Sequence, residues 1–170
     1  FVFVSAEPTN EDWAITSVVV AGARVTSMQT HAGLIYAFTD EAELLLLEVS
    51  EEGELRALSR IAVPKAYDAV ALMASTLIAS DGVSLATFSL RDPRNPVLER
   101  TVNRSYAKIE ARGLTVYCAT SSKVDVMDRG LTIQKSYSTG ASGALLSTER
   151  GVIAGQGSTL RSIIDANALD

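Results

Sequence analysis

Thr76-Leu77-Ile78-Ala79 decides the fold, because the chain repeats it as Leu34-Ile35-Tyr36-Ala37, Thr115-Val116-Tyr117-Cys118 and Gly151-Val152-Ile153-Ala154. The last position of each is small and follows two or three apolar residues. Ala37, Ala79, Cys118 and Ala154 recur at intervals of 42, 39 and 36 residues. A second series trails the first, ending at Ser5, Glu48, Ser89, Asp128 and Asp165, at intervals of 43, 41, 39 and 37. Two series that drift in step define a period of about 40 residues.

Between these anchors the chain reads as strands. Residues 67–74, 97–102 and 106–111 alternate apolar and polar side chains, and β-branched residues are frequent in 15–20 and 131–133. Turn residues punctuate the runs, as in His31-Ala32-Gly33, Asp81-Gly82, Arg112-Gly113 and Arg129-Gly130. The window 41–54 holds four consecutive leucines, Leu44 to Leu47, which suits a buried strand better than a helical stripe. Four strands every ~40 residues predict an all-β chain, a β-propeller with about four blades' worth of four-stranded antiparallel repeats. With strands lettered a to d from the centre outward, whole blades are expected over 23–63, 67–102 and 106–138. A partial blade, 143–170, supplies a, b and c. Another, 1–20, supplies a strand c at Phe1 to Ser5 and a strand d at 13–20.

Composition narrows the function. A chain of 170 residues, 47% hydrophobic, can bury a sizeable core, which excludes intrinsic disorder. A net charge of -5 argues against nucleic acid and anionic membranes as partners. No apolar run approaches the ~18–20 residues of a membrane span. The one cysteine cannot form an internal disulfide, and no Cys/His cluster resembles a zinc site, so neither metal nor cofactor is expected. The chain begins at Phe1 inside a β-like run, and is expected to be a piece of a larger propeller.

The second repeat carries the most specific motif. Leu77-Ile78-Ala79-Ser80-Asp81-Gly82-Val83-Ser84-Leu85 leads into Phe88-Ser89-Leu90-Arg91-Asp92-Pro93-Arg94-Asn95-Pro96. This resembles the LVIVD-type repeat of bacterial and archaeal β-propellers, whose mark is a Tyr-Val-Ala strand, a Gly turn and a Leu-x-Ile-x-Asp strand before an Asp-Pro-x-Asn-Pro-like turn. Leu160 to Asp165 and Val124 to Asp128 keep parts of the step. The resemblance implies a binding or scaffolding module at the cell surface or outside the cell; a cytoplasmic location is the alternative. The Trp-Asp ending of WD repeats, the paired Gly of kelch repeats and the sialidase-type Asp box are absent from the repeats.

Catalytic signatures are weak. A Ser-His-Asp triad would need the sole histidine, His31, and no Gly-x-Ser-x-Gly elbow presents a serine. Cys118 shares its position with three alanines and reads as a packing residue. Glu48, Asp128 and Asp165 share a strand-end position on different blades, too far apart for a two-carboxylate site, and are expected to accept backbone bonds in their turns. Glu41, Glu43, Glu51 and Glu52 read as solvated charges. Asp125 and Asp128 are too few for a calcium loop. Thr139-Gly140-Ala141-Ser142-Gly143 lacks the Lys-Ser/Thr ending of a phosphate loop. No catalytic residue is assigned.

The register yields one candidate binding surface. The d–a connections read Pro64-Lys65-Ala66-Tyr67 and Asn103-Arg104-Ser105-Tyr106, with Lys65 and Arg104, like Tyr67 and Tyr106, 39 residues apart. Loops d–a and b–c open on one propeller face, so Lys65, Tyr67, Arg104 and Tyr106 are expected to ring the channel mouth and bind an anionic or peptidic ligand. The function so predicted is a non-enzymatic binding or scaffolding module whose partner is another protein or the remaining propeller blades, from the same protein or a second copy. The alternative is a ligand-binding or hydrolytic propeller with catalytic groups partly outside this stretch. Residues 13–20 could complete the last blade as its strand d, closing four blades; a ring of about seven or eight blades better accommodates the surplus strand c.

Overall fold

The computed structural model describes residues 2–9, 12–20, 22–51, 53–138, 142–148, 151–156 and 159–164. Every regular element among them is a strand. The chain divides into two compact units, Phe1–Asp68 with Asp92–Asn95, and Ala69–Arg91 with Pro96–Asp170.

The first unit holds a hairpin, β1 (Val2–Thr9) and β2 (Asp12–Val20), and a four-stranded antiparallel sheet. The sheet runs in chain order through β3 (Val25–His31), β4 (Leu34–Thr39), β5 (Glu43–Val49) and β6 (Leu55–Ala62). The hairpin lies beside β6. Leu44 to Leu47 occupy β5 and are all buried, as a strand covered on both faces requires. On one face Ala37, Leu45 and Leu47 pack with Val25, Ile35 and Leu55. Ala32 and Gly33, at φ 51° and 76°, form the two-residue turn joining β3 to β4, where the backbone must be left-handed to match the strand twist.

The second unit holds three sheets built the same way. One comprises β7 (Ala69–Met73), β8 (Thr76–Ser80), β9 (Leu85–Ser89) and β10 (Val97–Val102). The next comprises β11 (Lys108–Arg112), β12 (Thr115–Ala119), β13 (Lys123–Met127) and β14 (Ile133–Ser138). The last comprises β15 (Ser142–Thr148), β16 (Gly151–Gln156) and β17 (Thr159–Ile164). Chain neighbours pair antiparallel throughout, and the inner strand β11 lies between β7 and β15.

Stacked sheets form the core of this unit. Ile109, Val116, Cys118 and Met127 project from one face of the β11–β14 sheet onto Ala71, Met73, Ile78 and Leu85. Tyr117, Ala119 and Val124 project from its other face onto Val152, Ala154 and Ile163. Each sheet is thus apolar on both faces, which is why strands b and c read as continuous apolar runs. The alternation of 97–102 does not become a half-buried strand: β10 is the outermost of its sheet and exposes even Val97 and Leu98.

Among the described residues, three b–c turns are each closed by one side chain at one repeat position, Thr39, Asp81 or Thr120. The Glu43 amide donates to Thr39 Oγ1 at 3.3 Å. The Val83 amide donates to Asp81 Oδ1 at 2.9 Å and the Ser84 hydroxyl to Oδ2 at 3.0 Å. The Ser122 and Lys123 amides donate to Thr120 Oγ1 at 3.2 and 3.1 Å. A short acceptor side chain satisfies amides that the ladder leaves unpaired at a strand end.

Candidate functional site

The d–a connection that enters the β11–β14 sheet is held at four points within the second unit. The Ser105 hydroxyl donates to the Gly82 carbonyl, and Ser80 Oγ to the Tyr106 carbonyl at 2.7 Å. Arg104 Nη1 donates to the Leu131 carbonyl at 2.8 Å. Tyr106 itself is buried and donates its hydroxyl to Asp125 Oδ2 at 2.6 Å. The carbonyl of Leu131, at φ 58°, is brought within reach by a left-handed turn whose side chain is buried in the same core.

Asp125 is the organising residue. Its side chain is fully buried and also accepts from Ser136 Oγ at 2.5 Å and pairs with Lys123 Nζ at 2.7 Å. Burial pushes its carboxyl up. The bonds from Lys123, Ser136 and Tyr106, with the Lys123 charge, outweigh that and hold it below the usual carboxylate range. The same bond acts oppositely on Tyr106, whose phenol is raised first by burial and then by donating to a carboxylate. Sequence reading weighed Asp125 only as a calcium ligand. What marks it is a charged residue inside an otherwise apolar strand Val124–Met127, which in a sheet covered on both faces must be matched by donors from other strands.

The four predicted rim residues fall in different units. Lys65 and Tyr67 belong to the first, Arg104 and Tyr106 to the second. Lys65 is exposed and Arg104 half-buried, whereas both tyrosine rings are in the interior. Tyr67 meets Phe38 edge to face, centroids 5.4 Å apart, and its carbonyl accepts from Thr26 Oγ1 at 2.5 Å and Ser27 Oγ at 3.1 Å. A phenol already committed to Asp125 and a ring edge to face with Phe38 hold their loops in place.

The remaining candidates are structural in their surroundings. Cys118 is fully buried, and burial, reinforced by the Asp125 charge, pushes its thiol up to about 12, away from the reactive thiolate. Asp128 accepts from the Thr132 amide at 3.0 Å and from Gln134 Nε2 at 2.7 Å, as a turn-closing acid should. Glu48 instead pairs with Arg94 of the Asp92–Asn95 turn, where the Arg94 amide also donates to Asp92 Oδ1 at 3.0 Å and Tyr36 donates its hydroxyl to the Pro93 carbonyl at 2.7 Å. Glu43, expected to be a free surface charge, sits at the start of β5 and binds Arg60 at 2.7 Å. His31 ends β3, half-buried, with no Ser or carboxylate bonded to its ring among the described residues. Phe1, Glu52, Thr139 to Ala141 and Asp165 lie outside the described residues. Among the described residues no three His, Cys, Asp or Glu side chains converge as a metal site.

Four-stranded antiparallel sheets joined d to a, stacked within the second unit through apolar faces, define a β-propeller. Solved structures share the fold. The structure titled "Structure of the Neurospora crassa Pan2 WD40 domain" superposes with a TM-score of 0.60 at 11% identity, over 83% of this chain and 46% of its own. The structure titled "Crystal Structure of Mitotic Checkpoint Complex" superposes with a TM-score of 0.64 at 13% identity, over 86% of this chain and 48% of its own. The chain therefore spans about half the length of each. No protein-family model and no curated protein matches the chain, so the likeness to LVIVD-type repeats rests on the motif at 77–96.

Proposed function

We propose that this chain is a non-enzymatic binding or scaffolding part of a larger β-propeller. One observation carries the reading. Asp125, the one charged residue fully buried among the described residues, spends its carboxylate on three donors that tie strands and loops together. A buried acid poised for proton transfer would need an open position beside it. The propeller fold, shared with a domain titled WD40, supports the same conclusion. The division into blades at 23–63, 67–102 and 106–138 with partial blades at 1–20 and 143–170, and the assignment to LVIVD-type propellers acting at the cell surface, belong to this proposal. The repeat period supports the division, and the 77–96 motif supports the assignment.

Contact is proposed at the d–a loops, through Lys65 and Arg104, on loops that Tyr67 and Tyr106 anchor. Anionic or acidic-peptide partners suit these cations. The test is capture of partners on the immobilised chain, followed by Lys65→Glu, an exposed position that leaves the core intact. Loss of capture with an unchanged fold is expected; capture indifferent to Lys65→Glu and to Arg104→Ala removes the rim from the proposal. Turnover of glycosides or esters by the purified chain would overturn the non-enzymatic reading.

A further inference from the structure

The chain has four lysines, Lys65, Lys108, Lys123 and Lys135, and three of them stand on the β11–β14 sheet. Lys108 begins β11 and is exposed; Lys123 begins β13, its side chain 41% exposed. Both therefore lie at the end of the sheet where the d–a and b–c connections enter. Lys135 is exposed and sits lower, on β14 opposite Val126. Its Nζ lies 4.9 Å from the centroid of the Tyr137 ring, and Tyr137 pairs with Val124, the neighbour of Lys123. The aromatic face thus draws the third ammonium toward the same end. Strands in a sheet are about 4.8 Å apart, so β11, β13 and β14 set the three cations along a row of about 14 Å.

The repeat itself does not call for these residues. At the place of Lys108 the other sheets hold Ser27, Ala69 and Ala144, and at the place of Lys123 they hold Glu43, Ser84 and Thr159. Lys123 has a structural reason, the buried Asp125 at 2.7 Å. Lys108 and Lys135 form no ion pair among the described residues. The other acids of the sheet stand off the row: Glu110 is two residues deeper on β11, and Asp128 closes the c–d turn at the opposite end.

We infer that this end of the β11–β14 sheet binds an extended acidic segment of a partner protein through Lys108, Lys123 and Lys135. The inference rests on the reading of the chain as a binding module, and adds a further contact and its ligand class. A row of about 14 Å spans about four residues of extended peptide at ~3.4 Å each, so a short run of Asp or Glu reaches all three cations. Three ammoniums on a chain of net charge -5 are too few to hold a nucleic acid or an anionic bilayer. A short acidic peptide meets only the local field, since charges beyond about 10 Å are screened.

Fluorescence anisotropy of a labelled octaglutamate peptide, titrated with the intact chain at about 50 mM salt, tests this. Exposed ion pairs are weak singly, so a dissociation constant on the order of 100 μM is expected, rising with salt. Lys108→Glu with Lys135→Glu should weaken binding at least ~10-fold; Lys123 is kept so that Asp125 stays paired. Lys108→Ala alone installs the residue that stands at Ala69 and Ala144, so it guards against loss of fold and should weaken binding about threefold. Arg129→Glu makes the same charge change on an exposed residue at the opposite end of the sheet, and should leave binding within about twofold. No binding at ~1 mM chain, binding indifferent to the lysine substitutions, or an equal loss on Arg129→Glu overturns the inference. Tighter binding of an eight-nucleotide single strand than of the peptide overturns it as well. Partner capture sensitive to Lys65→Glu would survive each of these outcomes, so the two readings fail separately.

Discussion

Asp125→Asn should uncouple the loop before β11 from the sheet that follows, and the size of the effect can be worked from the contacts. The wild-type carboxylate accepts from Tyr106 at 2.6 Å, Ser136 at 2.5 Å and Lys123 at 2.7 Å, at a site with no solvent access. Hydrogen bonds to a charged group contribute about 1.5–3 kcal/mol each in net terms. The amide is close to isosteric but turns one acceptor oxygen into a donor, which faces Tyr106 or Ser136 with a proton where a lone pair is needed. Lys123, whose side chain is 41% exposed, recovers hydration and so contributes least. The expected cost is about 3–4 kcal/mol, mostly from one mismatched buried hydroxyl and loss of the charge that strengthens the other bond. Tyr106→Phe alone should cost about 1.5–3 kcal/mol, since the ring stays packed. In the Asp125→Asn background it should cost far less, a coupling of at least about 1 kcal/mol by urea unfolding followed by far-ultraviolet circular dichroism. Acid adds an independent arm. The folded carboxyl titrates below its unfolded value of about 3.9, so its stabilisation is complete above that pH and drains away as pH falls through the folded value. Wild type should therefore lose stability below about pH 4 more steeply than Asp125→Asn. Equal costs of Tyr106→Phe in the two backgrounds, together with superimposable acid limbs, would refute the reasoning.

Further outcomes follow from the same structure. Cys118→Ala should cost little beyond one buried sulfur, about 1 kcal/mol, because Ala37, Ala79 and Ala154 fill the equivalent place, whereas Cys118→Ser should cost more by burying a hydroxyl. The native thiol should resist alkylation at pH 8 and react once unfolded, since burial raises it to about 12. Asp81→Ala removes the acceptor of the Val83 amide and the Ser84 amide and hydroxyl, and should lower stability by about 1–2 kcal/mol, more than Thr39→Ala, on the same unfolding assay. Leu131→Asn relieves a left-handed backbone but removes a side chain that is 2% exposed; the core should win, with a net loss of about 2 kcal/mol or more, and a stabilised variant would contradict the packing described.

Much of the architecture is legible because propeller strands are short-range objects. The first three whole sheets each hold four strands in chain order, and the Leu44 to Leu47 run is a strand covered on both faces. Period, apolar runs and turn residues are local, and antiparallel pairing between chain neighbours needs little more. The candidate site was legible only as a set of positions. Lys65, Tyr67, Arg104 and Tyr106 share a register, but register does not say which side chain turns inward. Tyr67 and Tyr106 go into the interior because Phe38 and Asp125, from strands distant in sequence, offer an aromatic edge and a buried carboxylate.

The amino-acid sequence by itself determined the all-β class and the ~40-residue repeat, since both follow from spacing along the chain. Only the tertiary structure decided that Asp125 is fully buried, and that Glu43 binds Arg60 and Glu48 binds Arg94. Those outcomes depend on which sheet stacks on which face. Charge and burial are settled by neighbours that the linear order does not name.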